Sequence, residues 1–439
     1  MKAVLPPTYT EYASYFNDAL RFLRDYSWIY NFAAPHLLVQ NILEKIPQDW
    51  AFSLLSLTNE ELNEFPQGLV KDSWPATLVS FCYWCKKLKI PHQESIHQDI
   101  DMPDKIRRGL NPKKQHEVTS MAKLVRRKCS TDDITQVLDM GSGLGYLDQL
   151  LHHHYGYNII GLESEADRVM TATQRQLDLC PTPAVKHVIC NISLDSKCRI
   201  ESELNATASD TCMVGLHICG DLAVTAIQLF MQIEVIKLMI IVPCCYHKMA
   251  LIGEKEFANF PLSSSLNELY KNKFCDCQGF LSRPFLRLAS QETTSRWFHM
   301  SEEKHKEHSE NLMARAVLQL CFHNGGMIVK KKKRRVVRKT KRTEFNSFME
   351  DAISRFDLAA EHVTPFRQEM AELWEQHKSS CRLAEVLTAL QMAIQNIVES
   401  FVHADWVAYL HEHGVTSVEI VKVMDDALSP RCWALIARK

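Results

Sequence analysis

The feature that most constrains this chain is an apolar run that breaks into alternating glycines just past an acid: Val137-Leu138-Asp139-Met140-Gly141-Ser142-Gly143-Leu144-Gly145-Tyr146. A strand that passes at once into a turn free of Cβ atoms is how an open α/β sheet brings its backbone close to a ligand at the carboxyl ends of its strands. The rest of the chain repeats the pattern. Apolar segments at residues 136–140, 158–163, 185–191, 211–218 and 237–243 are separated by stretches long enough for helices, which predicts five parallel strands joined by helical crossovers. Two last strand-like runs, 417–424 and 432–437, are joined through residues 425–431 and predict a terminal hairpin that closes the sheet as strands six and seven.

The predicted fold class is therefore α/β, a Rossmann-like seven-stranded sheet, with helical additions. At 439 residues there is more chain than one core usually uses. From Thr8 to about Leu88 the apolar spacing is helical. Thr8 with Glu11 and Thr58 with Glu61 fit capping boxes, and Pro35, Pro47, Pro66, Pro75 and Pro91 punctuate the pieces. This reads as a helical N-terminal domain over residues 1–105, with the sheet domain over 106–439. Residues 250–410 then form a large helical insertion before the last two strands. Its expected helices lie at 307–322, 345–356 and 382–410, with a basic, disordered segment at about 324–343.

Apolar residues at 46% and charged residues at 23% are ordinary globular values. Neither an apolar leader nor a membrane-length apolar run is evident, since the densest, 235–242, is interrupted by Lys237. Fifteen cysteines are expected to be thiols in a reducing compartment, cytoplasm or nucleus. Ten positive charges fall within the thirteen residues 330–342, so the remainder of a chain of net charge −1 carries −11. Such a block is a solvated arm, an import signal or an RNA-phosphate contact; it argues against a broad nucleic-acid face.

The glycine turn carries the cofactor expectation. Gly141, Gly143 and Gly145 open the backbone, Ser142 lies between them, and the following helix offers unpaired N–H groups. A second strand ends in Glu163, eighteen residues beyond Gly145, where a carboxylate can accept hydrogen bonds from ribose hydroxyls. A dinucleotide fingerprint would place its third glycine at Tyr146. That displacement, with Asp139, favours S-adenosylmethionine over a nicotinamide. Asn191 and Ile192, after strand three, are expected beside the adenine, although a loop-capping asparagine fits the sequence as well.

Two strand ends are rich in reactive side chains: Leu216-His217-Ile218-Cys219-Gly220-Asp221 and Pro243-Cys244-Cys245-Tyr246-His247-Lys248. A metal is not expected, because adjacent cysteines are poor joint ligands. Cys244 or Cys245 as a covalent nucleophile, His217, Asp221 or His247 as a proton acceptor, and thiols that merely pack all remain open readings. With Tyr246, and with Lys114 and His116 on the helix before the first strand, these are the side chains expected around cofactor and acceptor.

Together with Lys113-Lys114-x-His116-Glu117, the two strand-end motifs and the closing Leu428-Ser429-Pro430-Arg431, the glycine turn resembles the methyltransferase-like protein 25 and 25B family. The resemblance covers about three quarters of the chain and implies an S-adenosylmethionine-dependent methyltransferase. The His-x-Cys-Gly and Cys-Cys-x-His pair is also similar to that of the transfer-RNA 2′-O-methyltransferase 13 family, which implies RNA as acceptor, with protein as the alternative. Adenine dimethylation, which another name of the family suggests, is not supported, because His217-Ile218-Cys219-Gly220 stands where Asn/Asp-Pro-Pro-Tyr is usual. The competing class is a cofactor-binding interaction module without catalysis.

Overall fold

A computed structural model describes residues 4–91, 93–94, 101–205, 209–253, 256–274, 279–291, 293–325, 345–356, 358 and 360–439. The expected basic segment, 324–343, lies almost wholly outside them. Two compact units are formed, each discontinuous in sequence: Met1–Arg21 with Leu88–Thr293 and Ile397–Lys439, and Phe22–Lys87 with Thr294–Asn396. The boundary expected near residue 105 falls inside the first unit. Residues 250–410 are divided between the two units.

The first unit holds the sheet. Its strands are β1 (Gln136–Met140), β2 (Asn158–Glu163), β3 (Val185–Ile189), β4 (Thr211–Ile218), β5 (Ile236–Pro243), β6 (Ser417–Lys422) and β7 (Trp433–Arg438). They lie in the order β6-β7-β5-β4-β1-β2-β3, and the two-residue strand Gln93–Glu94 pairs with the outer edge of β6. β1 pairs in parallel with β2 and β4, β2 with β3, and β4 with β5, whereas β7 runs antiparallel to β5 and β6. Every residue of β1 is buried, as a central parallel strand covered on both faces must be. The sheet order reverses at β1 and β4, so their carboxyl ends open on the crevice where ligands of such sheets bind.

Helix Pro112–Cys129 lies before β1. Asn111 caps it by accepting from Lys114 N at 2.8 Å, and Pro112 occupies its first turn, where no donor is needed. Its Val118, Met121, Leu124 and Val125 bury against Val137, Leu147 and Leu150 in the core of the unit. Two expectations shift by a few residues. β3 ends at Ile189 rather than 191, after which Cys190 N still donates to Glu163 O at 2.8 Å. The first helix begins at Tyr12, because Tyr9 N closes a turn onto Pro6 O at 2.9 Å where the Thr8–Glu11 box was expected to start a helix.

The second unit is helical within the described residues. Its Thr58–Glu61 capping box forms as the sequence predicts, with Glu61 N donating to Thr58 Oγ1 at 3.2 Å and Thr58 N to Glu61 Oε2 at 3.1 Å. Phe22, Tyr26, Trp50 and Phe81 pack ring against ring, so these aromatics are core. Helices Glu302–Asn324 and Phe345–Arg355 match the expected positions, and Cys381–Glu412, whose residues from Ile397 onward belong to the first unit, spans the third. Among the described residues no helix is long and apolar enough to cross a membrane.

Candidate active site

The glycine turn is tied to the end of β2. Gly141 N and Ser142 N both donate to Leu162 O at 2.9 Å, and Gly143 N donates to Glu163 Oε2 at 3.1 Å. Glu163 Oε1 accepts from Glu165 N at 3.0 Å and Ser164 Oγ at 3.2 Å, with Arg168 at 3.7 Å. Each carboxylate oxygen has two lone pairs, so Oε2 keeps acceptor capacity for a ligand hydroxyl. Gly143, at φ +61°, has nothing within 4 Å of where a Cβ would stand, which leaves that side of the turn open. Gly145 differs: a Cβ there would meet His187 Nε2 at 2.7 Å.

Behind the turn lies a buried acidic pair. Asp139, at the end of β1, and Asp148, on helix Tyr146–Tyr155, are both buried, and His187 Nε2 lies 3.1 Å from Asp148 Oδ2. Burial pushes Asp139 well above the usual carboxylate range, with neighbouring Asp148 adding to it. Burial likewise raises Asp148 to about 7, and it depresses His187. Asp139 Oδ1 and Ser142 Oγ are buried without a protein partner, two polar atoms beside the turn that a bound ligand or water can satisfy. Asn191 is exposed and Ile192 half-buried just past β3.

At the end of β4 the backbone turns sharply: His217 sits at φ +64°, rare for a residue with a side chain, and Gly220 at φ +56°. The His217 ring reaches helix Pro112–Cys129, where its Nε2 lies 2.9 Å from Glu117 Oε1. Ser429 Oγ donates to the same oxygen at 2.7 Å, and the ammonium groups of Lys113 and Lys114 stand 3.7 Å from the carboxylate. Burial alone would raise Glu117, yet His217, Ser429 and Lys114 together bring it down to about 2. The carboxylate is therefore ionised.

The three thiols converge. Cys219 and Cys244 have their sulfurs 2.8 Å apart, both lie within hydrogen-bonding reach of His217 O, and Cys245 joins them with all three sulfurs inside 4.8 Å. The hydrogen bond from Cys244, against the effect of burial, brings Cys219 down to about 6, with Cys245, Lys248 and His217 assisting. Cys244 is pushed up by its contact with Cys219 and by burial, and Cys245 is raised chiefly by burial.

The other residues expected near the acceptor or cofactor have protein partners of their own. Asp221 accepts from Ala250 N and Asn259 Nδ2, each at 2.8 Å, which pins the chain after β5. Tyr246 is turned inward, its hydroxyl 3.1 Å from Glu399 Oε1 and 2.9 Å from His403 Nε2. His247 Nδ1 stands 3.4 Å from Ser290 Oγ, and its carbonyl accepts from Arg283. Burial, with Arg287, Lys248 and Arg283 close by, depresses its ring. His116 Nε2 accepts from Asp425 N at 2.9 Å, while Lys114 remains half-exposed beside Glu117. Glu117 and Ser429 meet His217 here, although the sequence showed them only within the motifs that carry the family resemblance and not as site residues. The signal for Glu117 was its placement one turn from Lys113 and Lys114 on the same helix.

Residues 113–251, which carry the glycine turn, Glu163 and both strand-end motifs, match the family model described as a methyltransferase domain. The likeness expected from the motifs is found among curated proteins. "Probable methyltransferase-like protein 25" of Mus musculus is 22% identical over 497 aligned positions, covering 82% of this chain and 80% of that protein. The Homo sapiens protein of the same name is 27% identical over 242 positions, 52% of this chain and 37% of that one. Among solved structures, coclaurine N-methyltransferase bound to N-methylheliamine and SAH aligns over 92% of this chain and 98% of that one. Its identity is 11% and its TM-score 0.24, a likeness too slight to bear on the site.

Proposed function

We propose that this chain uses S-adenosylmethionine to methylate a nucleophilic oxygen or nitrogen of RNA. The observation that carries the cofactor half is the bond from Gly143 N to Glu163 Oε2 at 3.1 Å, which sets an acidic strand end against an open glycine turn. Glu163 would hold the ribose hydroxyls and residues 141–145 would admit the cofactor close to the backbone. Asp139 and Ser142 would use their unpartnered oxygens, and Asn191 with Ile192 would border the adenine. The cofactor would supply a methyl group on a sulfonium: the acceptor's electron pair would bond to the methyl carbon in line with the breaking C–S bond, and the sulfur would leave as a neutral thioether.

The chain's own contribution to the transfer is a positioned base. Ionised Glu117 fixes the His217 tautomer by accepting from Nε2–H, so the lone pair falls on Nδ1, the atom that would take the acceptor's proton. RNA as acceptor is supported by the likeness of the two strand-end motifs to those of transfer-RNA 2′-O-methyltransferases. The basic run at 330–342 would supply phosphate contacts.

Calorimetric titration with S-adenosylmethionine, followed by incubation of the protein with methyl-labelled cofactor and total cellular RNA or protein, tests both halves. Saturable binding that Glu163→Ala weakens, and label released by ribonuclease but not by protease, are the expected results. Label in protein alone would end the RNA reading, and absence of cofactor binding would end the methyl-transfer reading.

A further inference from the structure

The sheet order sets the ends of β4 and β5 side by side, with Ile218 opposite Pro243 and Cys244 N donating to Ile218 O at 3.1 Å. The next residue on each strand is a cysteine, and their sulfurs lie 2.8 Å apart. Cys245 turns its sulfur into the same space, all three sulfurs lying within 4.8 Å of one another. Among the described residues this is the one group of three such ligand atoms gathered in that way. A disulfide would need two cysteines at about 2.05 Å; a third thiol in contact has no role in it. Three thiols around one point are what a soft or borderline cation requires.

We propose that Cys219, Cys244 and Cys245 form a thiolate site for a d10 cation, zinc, bound by three sulfurs with its fourth coordination position open. Zn–S bonds of about 2.3 Å in a tetrahedral site hold sulfurs roughly 3.8 Å apart, which this cluster reaches by small side-chain rotations. Binding displaces the thiol protons to solvent and forms three Zn–S bonds, with no change of oxidation state. Cys244 is buried, while Cys219 and Cys245 are partly exposed, so an ion can enter and water or a ligand atom can take the open position. The corner is shaped for this approach: His217 and Gly220, on either side of the Ile218-Cys219 pair, both take positive φ. A Cβ at Gly220 would meet the Lys248 carbonyl group at 3.0 Å. Spacing along the chain points away from a metal, because Cys244 and Cys245 are adjacent. The third ligand comes from the neighbouring strand.

The site is tested on the full-length reduced protein, independently of turnover. Cobalt(II) titration should produce the near-ultraviolet sulfur-to-cobalt charge-transfer band with one equivalent bound. Zinc should abolish the band, and elemental analysis after dialysis should find one zinc per chain. Cys219→Ser and Cys245→Ser, each confirmed folded by circular dichroism, should weaken binding about 100-fold. The double variant Cys82→Ser/Cys85→Ser, which removes two thiols of the other unit, should not. No charge-transfer band and no retained zinc in the folded reduced protein would overturn the proposal. So would retention of the metal by both single variants, or a Cys219–Cys244 disulfide in protein isolated without reductant.

Discussion

Glu117 Oε1 and His217 Nε2 lie 2.9 Å apart, joining the helix before β1 to a residue in the left-handed region at the end of β4. Glu117 titrates at about 2, below its ordinary 4.5. A depressed carboxyl contributes stability that is fully present above the unfolded value and lost as pH falls through the folded one. Glu117→Gln is therefore expected to lower stability near neutral pH by about 2 kcal/mol, less than the whole shift because solvent screens part of the cluster. Denaturant titrations at about pH 7 and about pH 3 check the sign: the gap between the two proteins must narrow at the lower pH. A gap that stays constant would mean that the carboxylate's charge is not what the fold uses.

Two glycines of one turn should respond in different ways. Both Gly143 and Gly145 take positive φ, where alanine costs about 1–2 kcal/mol. Gly143→Ala meets nothing within 4 Å, so it should lose no more stability than that; on the proposed function its new methyl would stand where the cofactor approaches, and S-adenosylmethionine binding should weaken at least ~10-fold. Gly145→Ala drives its Cβ to 2.7 Å from His187 Nε2 and 3.2 Å from Ala172 Cβ, and should cost about 3 kcal/mol or more. Melting curves and calorimetry on the pair separate the two effects. Unchanged affinity in Gly143→Ala would remove the turn from the cofactor site.

The sheet was legible because parallel strands buried on both faces read as continuous apolar runs, and β1, β2 and β4 fall where those runs fall. The place of Glu163 at the end of β2 was legible for the same reason, since the apolar run that marks the strand stops there. Pairing across distance was not. Cys219 meets Cys244 only because β4 and β5 are neighbours, and the pattern of apolar residues does not state strand order. His217 reaches Glu117 through a positive φ that no local rule predicts for histidine. Tyr246 and Asp221 look reactive in sequence, but their polar atoms are used to hold Glu399, His403, Asn259 and the chain at Ala250. The two units draw on segments far apart in the chain, which no composition shift marks.

Asp148 predicts a pH dependence of the opposite sign. Burial raises its carboxyl from 3.8 to about 7, so ionising it opposes folding. The penalty is absent below the unfolded value and grows as pH rises toward about 7. Asp148→Asn keeps an oxygen to face His187 Nε2, now 3.1 Å away, and removes the charge beside Asp139. It should raise stability by roughly 1–2 kcal/mol at about pH 8 and by less at about pH 5. Chemical denaturation at the two pH values measures this, and a variant destabilised more at high pH would show that the ionised pair is held by partners other than those described.

Tyr246 separates a role in chemistry from one in architecture. Its ring is fully enclosed, and its hydroxyl stands between Glu399 Oε1 and His403 Nε2. Arg431 donates to that same Glu399 oxygen at 3.0 Å and to the carbonyls of Ala289 and Gln291, so the closing hairpin is tied to the long helix and to the chain after β5. Removing the hydroxyl leaves buried Glu399 and His403 short of a partner, a loss of about 1–3 kcal/mol. Tyr246→Phe should therefore melt earlier while transferring methyl groups, per folded molecule, within about twofold of the intact chain, because the phenol is already committed to Glu399 and His403. A turnover about 100-fold lower with an unchanged melting temperature would reverse the assignment, since only a hydroxyl in contact with cofactor or acceptor could act on the rate without acting on the fold.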